Sequence, residues 1–188
     1  MKLLTTGLAA LILTISMAVP ALSAEEAGVT LLDSQFVGTN MVMLNGIALR
    51  EKFFVDVYVA GLYLAEKASD PATILSKDSA RLMVMHFVHD VEAKKINDAW
   101  MEGLQDNIEP VTPELTAQFE QLASMMEDIK DGEAMSFSYE PGAGTTVMVK
   151  GMNKGAIPGK EFADAILATW IGPKPGPGKS FKKALLGQ

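Results

Sequence analysis

Apolar and polar residues along this chain follow two different periods, which separate predicted strands from predicted helices. Alternation of apolar and polar residues, or a short continuous apolar run, predicts strands over residues 29–32, 41–49, 53–64, 81–88, 135–139 and 145–150. A tight connection is predicted at Glu51-Lys52, between the second and third of these strands. The strand over 53–64 is apolar on both faces, which predicts a central strand covered on both sides.

Other stretches repeat their apolar residues every three or four positions, as helices do. The spacing of Ile96, Trp100 and Leu104 predicts a helix with Asp90 as its N-cap, and Thr112 is the predicted N-cap of the next helix. Further helices are predicted over 70–77, opened by Asp70 and Pro71, and over 157–172 and 180–186. Strands, helices, strands and helices follow each other without regular β-α-β alternation, so we expect an α+β fold. Its largely antiparallel sheet would carry helices on one face.

The first 24 residues have the layout of a secretory signal peptide. Lys2 precedes an apolar run over 8–19, and the small residues Ala21, Ser23 and Ala24 follow it. The run is shorter than the roughly 20 residues that a spanning helix needs. We therefore expect cleavage near Ser23 or Ala24 and a single domain over residues 25–188. A periplasmic or secreted location, without stable membrane insertion after cleavage, follows from that.

Composition and motifs narrow the possible chemistry. The net charge of −7 argues against nucleic acid and anionic membrane surfaces as partners. The chain has no cysteine, so disulfides and thiolate metal sites are excluded. His86 and His89 would face opposite sides of a strand, and "GPKPGPGKS" has Pro173 where a phosphate-binding loop needs glycine. We predict no metal and no cofactor.

Arg50 stands out because it lies among apolar strand residues, where an unpaired cation costs several kcal/mol or more. It could form an internal ion pair with Asp56 or Glu51, or it could hold an anionic ligand beside Tyr58. A planar guanidinium suits a carboxylate, which it meets with two parallel hydrogen bonds. A strict two-residue turn at Glu51-Lys52 would put Tyr58 on the opposite face from Arg50. The second arrangement therefore needs an odd-length loop or a bulge.

Three stretches resemble the chalcone isomerase-like superfamily: "LNGIALREKFFVDVYVAGLYL", "LMVMHFVHDVEAKKINDAWMEGL" and "IPGKEFADAILATWIG". The resemblance runs from about residue 35 to the end. It implies an open-faced β-sandwich, in which a large antiparallel sheet is covered by a layer of helices with a ligand cleft between them. Plant members include enzymes that close a chalcone into a flavanone, and non-catalytic fatty-acid-binding proteins. Arg50 matches an arginine that faces the cleft in both, and Tyr58 matches a tyrosine of the binders.

The chain departs from the enzymes at their other functional positions. Where they carry a tyrosine and an asparagine seven residues apart on a helix, this chain has Asp90 and Asn97, and Ala163 falls near a later polar position. No firm catalytic residue is predicted, and Arg50 would be catalytic only if the protein is an enzyme. The resemblance therefore favours a non-catalytic protein that binds a small amphipathic carboxylate, such as a fatty acid, through Arg50 and Tyr58. The alternatives are an intramolecular lyase and an envelope interaction protein without a ligand. The sequence does not identify any protein partner.

Overall fold

The computed structural model describes residues 23–188, so the predicted signal peptide lies outside the described residues except for its last two. The strands are β1 Ser23–Glu26, β2 Val29–Leu32, β3 Ser34–Val37, β4 Asn40–Lys52, β5 Val55–Leu64, β6 Arg81–Phe87, β7 Ala134–Glu140, β8 Gly144–Val149 and β9 Met152–Ile157. The helices are α1 Pro71–Ser76, α2 Ala93–Asn107, α3 Pro113–Met125, α4 Lys160–Ile171 and α5 Lys179–Leu185.

Strands β3 to β9 form one antiparallel sheet in chain order, and β1 pairs with β2 in a separate ribbon. The predicted α+β fold, a large antiparallel sheet covered by helices, is confirmed. Sequence patterning missed β1, β3 and β9. In β9 only the last residue, Ile157, is buried, so this strand shows no alternation of apolar and polar positions.

The main core lies between one face of the sheet and the helices. Leu62 and Phe137 from the sheet pack with Ile166 and Trp170 from α4 in this core. A smaller core on the opposite face includes Leu31 of β2 and Leu44, Tyr63 and Leu82 of the sheet. Strand β5 is therefore covered on both sides, as its apolar sequence predicts.

The connection between β4 and β5 differs from the prediction. Lys52 pairs with Val55, so the two turn residues are Phe53 and Phe54 rather than Glu51 and Lys52. Both phenylalanines have positive φ, 51° and 66°. A two-residue hairpin turn that follows the strand twist needs such angles, and Asn-Gly is its preferred sequence. The left-handed region costs a residue with a Cβ roughly 1–2 kcal/mol, which is why sequence reasoning did not choose this pair.

A β-bulge follows the turn on the β5 side. Glu51 pairs with Asp56, but the next pair is Arg50 with Tyr58, so Val57 has no partner in the ladder. Side chains alternate between faces along a strand, and one extra residue therefore changes which face the following residues occupy. The bulge places Tyr58 on the same face as Arg50, the face that packs against the helices.

Helix starts agree with the sequence at two positions and disagree at one. Asp70 and Thr112 cap α1 and α3 by accepting hydrogen bonds from backbone amides, as predicted. Asp90 does not cap α2, because its carboxylate accepts hydrogen bonds from Lys130 and the Asp131 amide. The first amide of α2 instead donates to Asp128, which lies 35 residues further along the chain, 2.9 Å away.

The C-terminal helix approaches the sheet closely at Gly46. A Cβ at this position would lie 2.1 Å from the carbonyl oxygen of Ala184. Asn45, beside it, donates to the Leu185 carbonyl at 2.9 Å and exchanges hydrogen bonds with the backbone of Ala68. The absence of a side chain at Gly46 therefore allows α5 to lie against β4.

Replacing Gly46 by alanine should destabilise the protein, because the neighbouring atoms are backbone and cannot turn away. We expect a loss of about 1–3 kcal/mol in the free energy of unfolding, measured by urea denaturation. Gly176→Ala is the matched control, since its Cβ would lie at an ordinary 3.7 Å from its nearest neighbour, the Thr169 carbonyl oxygen. Equal stabilities for the two variants would contradict the close packing of α5 on β4.

Candidate functional site

A cavity of about 780 Å³ opens between the ends of β4, β5 and β6, helices α2 and α4, and the segment 173–179. Its volume lies within the range of small-molecule binding pockets, roughly 300–1,000 Å³. The cavities near Arg81, at the other end of β6, measure only about 20 and 270 Å³. Apolar side chains from sheet and helices line much of the large cavity: Met85, Phe87, Val91, Ile96, Trp100 and Trp170.

Arg50 reaches this cavity from near the end of β4 and is partly buried. Its Nη1 donates to the carbonyl oxygen of Pro177 at 2.8 Å. Within residues 23–188 Arg50 forms no ion pair, so the internal pair with Asp56 or Glu51 considered from the sequence is absent there. A guanidinium has five N–H groups, and most of those of Arg50 stay available to a ligand or water.

Tyr58 is the direct cross-strand partner of Arg50 and also lines the cavity. Its ring packs against Phe87 and Phe181, with centroid distances of 5.5 and 5.8 Å. The indole Nε1 of Trp170 donates to the Tyr58 oxygen at 3.3 Å. The hydroxyl proton is then free to be donated, and it can point into the cavity beside Arg50.

The protonation state of Tyr58 follows from its surroundings. Burial raises the pKa of the Tyr58 hydroxyl from 10.0 to about 12, and the hydrogen bond from Trp170 and the charge of Arg50 offset only part of this rise. Tyr58 therefore keeps its proton at neutral pH and remains a hydrogen-bond donor.

The proline-rich segment after α4 forms one wall of the cavity and is held in place by α2. The amide of Asn107 donates to the Lys174 carbonyl and accepts from the Lys174 N–H, both at 2.9 Å. Lys182 donates to the Gly172 carbonyl at 2.9 Å. This anchored segment presents the Pro177 carbonyl to Arg50. The proline-rich sequence of this segment gives no sign that it contributes to the site.

The helices add two tryptophans that sequence reasoning treated only as core residues. Trp100 and Trp170 pack edge to face at a centroid distance of 5.2 Å, and both contact Phe137. The Nε1 of Trp100 is buried and has no hydrogen-bond partner within residues 23–188. A Trp-Tyr hydrogen bond across 112 residues has no local sequence signal, so only the tertiary structure identifies Trp170 as a partner of Tyr58.

Asp90, Asn97 and Ala163 occupy the positions that correspond to further functional residues of the enzymes. They do not form a polar site together with Arg50 in this cavity. Asp90 lies at its rim, paired with Lys130 at 2.8 Å. Asn97 donates to the Ala123 carbonyl on α3 and does not line the cavity. Ala163 lines the small cavity near Arg81 instead. Arg50 and Tyr58 are thus brought together, whereas Asn97 and Ala163 lie elsewhere.

Residues 23–188 contain neither a membrane-spanning helix nor a cluster of metal ligands. No helix in this part of the chain has the length and hydropathy of a membrane span. No group of three or more histidine, aspartate or glutamate side chains there has a metal-binding arrangement. His86 lies within β6, whereas His89 follows the strand and lines the cavity rim.

Comparison with known proteins places the fold in a family. A family model described as chalcone isomerase-like matches residues 23–187. The chain belongs to the chalcone isomerase-like family. A similar solved structure is that of a fatty-acid binding protein from Arabidopsis thaliana, with a TM-score of 0.67 and 17% sequence identity. The match covers 87% of this chain and 95% of the plant protein, and at this identity it establishes the fold alone. No curated protein matches the chain.

The raised pKa of Tyr58 gives this family member a measurable alkaline signature. Tyrosinate absorbance of wild type minus that of Tyr58→Phe should show half-ionisation near pH 12. Because the pKa of Tyr58 is higher in the folded state, its protonated hydroxyl contributes to the free energy of unfolding. This contribution is complete below pH 10 and is lost as pH rises through about 12. In Arg50→Gln the Tyr58 pKa should rise further, since a nearby cation favours the phenolate. Ionisation of Tyr58 near pH 10 would show that its hydroxyl is open to water.

Proposed function

We propose that this protein binds a small amphipathic carboxylate, such as a fatty acid, in the cavity between the sheet and the helices. The observation that carries the proposal is the pair formed by Arg50 and Tyr58. These neighbours place unused hydrogen-bond donors at the wall of a largely apolar cavity. Such a wall suits a ligand with one anionic end and an apolar body.

The donors match the acceptors of a carboxylate. The carbonyl of Pro177 occupies one N–H of Arg50, and the remaining edge of the guanidinium can form two parallel hydrogen bonds. Tyr58 adds an O–H donor, because its oxygen already accepts from Trp170. Hydrogen bonds that involve a charged group contribute about 1.5–3 kcal/mol. A neutral head group, such as an alcohol, would lose most of this contribution.

The apolar walls would hold the tail of the ligand. Each buried CH₂ group contributes about 0.8 kcal/mol, so a tail of about six buried carbons contributes roughly 5 kcal/mol. The tail and the head group therefore contribute similar amounts to the affinity, and the head group also fixes the orientation of the ligand. The aromatic rings of Phe87, Trp100 and Trp170 offer flat contact surfaces for such a chain.

The polar surroundings of Arg50 favour binding over catalysis. Asn97, the one residue of the enzymes' helix pair that this chain retains, bonds to α3 and does not line the cavity. A guanidinium can stabilise an oxyanion, but positioning a substrate needs further fixed donors. The fold that this chain shares with the plant fatty-acid binding protein also supports binding. We also propose that the protein is located in the periplasm or outside the cell, because residues 1–24 have the pattern of a secretory signal peptide.

Saturated fatty acids of increasing length should bind with increasing affinity until the cavity is filled. Titration calorimetry should show a Kd that falls by roughly fourfold for each added CH₂. Affinity that is independent of chain length would contradict a tail-binding cavity.

Removing the positive charge of Arg50 should weaken the binding of fatty acids selectively. Arg50→Gln should raise the Kd of a fatty acid by about 10- to 150-fold and leave the corresponding fatty alcohol nearly unchanged. Lys94→Gln is the control, because this exposed lysine pairs with Asp98 on α2 and does not line the cavity. Equal losses for acid and alcohol would mean that Arg50 acts only through packing.

Chalcone turnover that disappears in Arg50→Gln would favour the lyase alternative.

A further inference from the structure

The tip of the β4–β5 hairpin exposes two adjacent phenylalanines. Phe53 is 86% exposed and Phe54 is fully exposed, and both occupy left-handed backbone conformations that disfavour bulky residues. Asn-Gly would form this turn with less strain. Neither ring stabilises the fold through buried contacts. The two residues expose apolar surface to water and also occupy backbone conformations that they disfavour. Such a combination points to a contact outside the chain.

The apolar surface at this tip is small and convex. The neighbours Glu51, Lys52 and Asp56 are charged and exposed. Two phenyl side chains offer about 150–250 Å² each, whereas a stable protein interface needs about 800 Å² from each partner. A projecting pair of rings within charged surroundings is therefore too small for a standard protein interface. It has the right size for shallow insertion into a lipid surface, where aromatic rings are favoured.

Charges around the tip are divided between the two faces of the hairpin. Lys52 shares its face with Arg50 and lines the cavity. Glu51 and Asp56 are cross-strand neighbours on the opposite face. In an inserted orientation Lys52 can extend its amine to lipid phosphates, and the carboxylates can remain in water. The net charge of −7 opposes strongly anionic membranes, so neutral lipids suit this surface best.

We propose that Phe53 and Phe54 insert into the surface of a neutral lipid bilayer and so hold the mouth of the cavity against the membrane. Lys52, Phe53 and Val55 all line the cavity and are exposed, so they mark its open side. A docked protein could then exchange an amphipathic acid with the bilayer while the acyl chain avoids water. The exchange rests on the proposed function, whereas the insertion does not.

The test is binding to phosphatidylcholine vesicles in the absence of any fatty acid, measured by flotation. The wild type should float with the vesicles, and binding should persist at high salt because it is apolar. The double variant Phe53→Asn/Phe54→Gly should lose at least about tenfold in vesicle partitioning. Its thermal midpoint should equal or exceed that of the wild type, because the new residues suit the turn. Lost binding therefore cannot be attributed to unfolding.

Phe36→Ser is the matched control, since Phe36 is 70% exposed on β3, outside this hairpin. It should bind vesicles like the wild type. Equal vesicle binding by the double variant, or no binding by the wild type, would overturn the proposal. If the wild type instead dimerises in solution and the double variant does not, the tip is a contact between two copies. Vesicle binding without any fatty-acid affinity would refute the proposed function and leave the insertion standing.

Discussion

The guanidinium of Arg50 is a permanent charge at the boundary between an apolar core and a cavity, and the surrounding structure orients it. The Pro177 carbonyl accepts a hydrogen bond from one of its N–H groups, and the side chain lines the open cavity. A charge fully enclosed without a partner would cost several kcal/mol or more. The cavity allows water or an anionic ligand to complete the hydrogen bonding of the cation, and Tyr58 places a neutral donor beside it.

The residues that surround Arg50 come from segments that are distant in the sequence and are connected by hydrogen bonds and packing. The bulge at Val57 aligns Tyr58, the indole of Trp170 fixes its hydroxyl, and Asn107 anchors the segment that carries Pro177. The absence of a side chain at Gly46 allows helix α5 to lie against β4, and the hydrogen bond from Asn45 to the Leu185 carbonyl holds it there. A binding site needs such support, because donors that are free to rotate lose entropy when they bind a ligand.

Charge is unevenly distributed over this acidic protein. The chain carries a net charge of −7, yet five cationic and three anionic side chains line the cavity. The cationic ones are Arg50, Lys52, Lys95, Lys174 and Lys179. A cleft with locally positive charge raises the encounter rate of anions. The same asymmetry separates the two faces of the β4–β5 hairpin, where the cation lies on the cavity side and the carboxylates on the other.

The sequence by itself determined the α+β architecture, the central position of β5 and the caps at Asp70 and Thr112, because periodicity and capping depend on nearby residues. Its resemblance to a family also singled out Arg50 and Tyr58. The tertiary structure decided what depends on long-range pairing: the turn at Phe53-Phe54, the bulge at Val57, the capping of α2 by Asp128, and the contacts of Trp170 and Pro177. Strand register is a collective result of packing on both faces of a sheet, and local preference at two turn residues is too weak to oppose it.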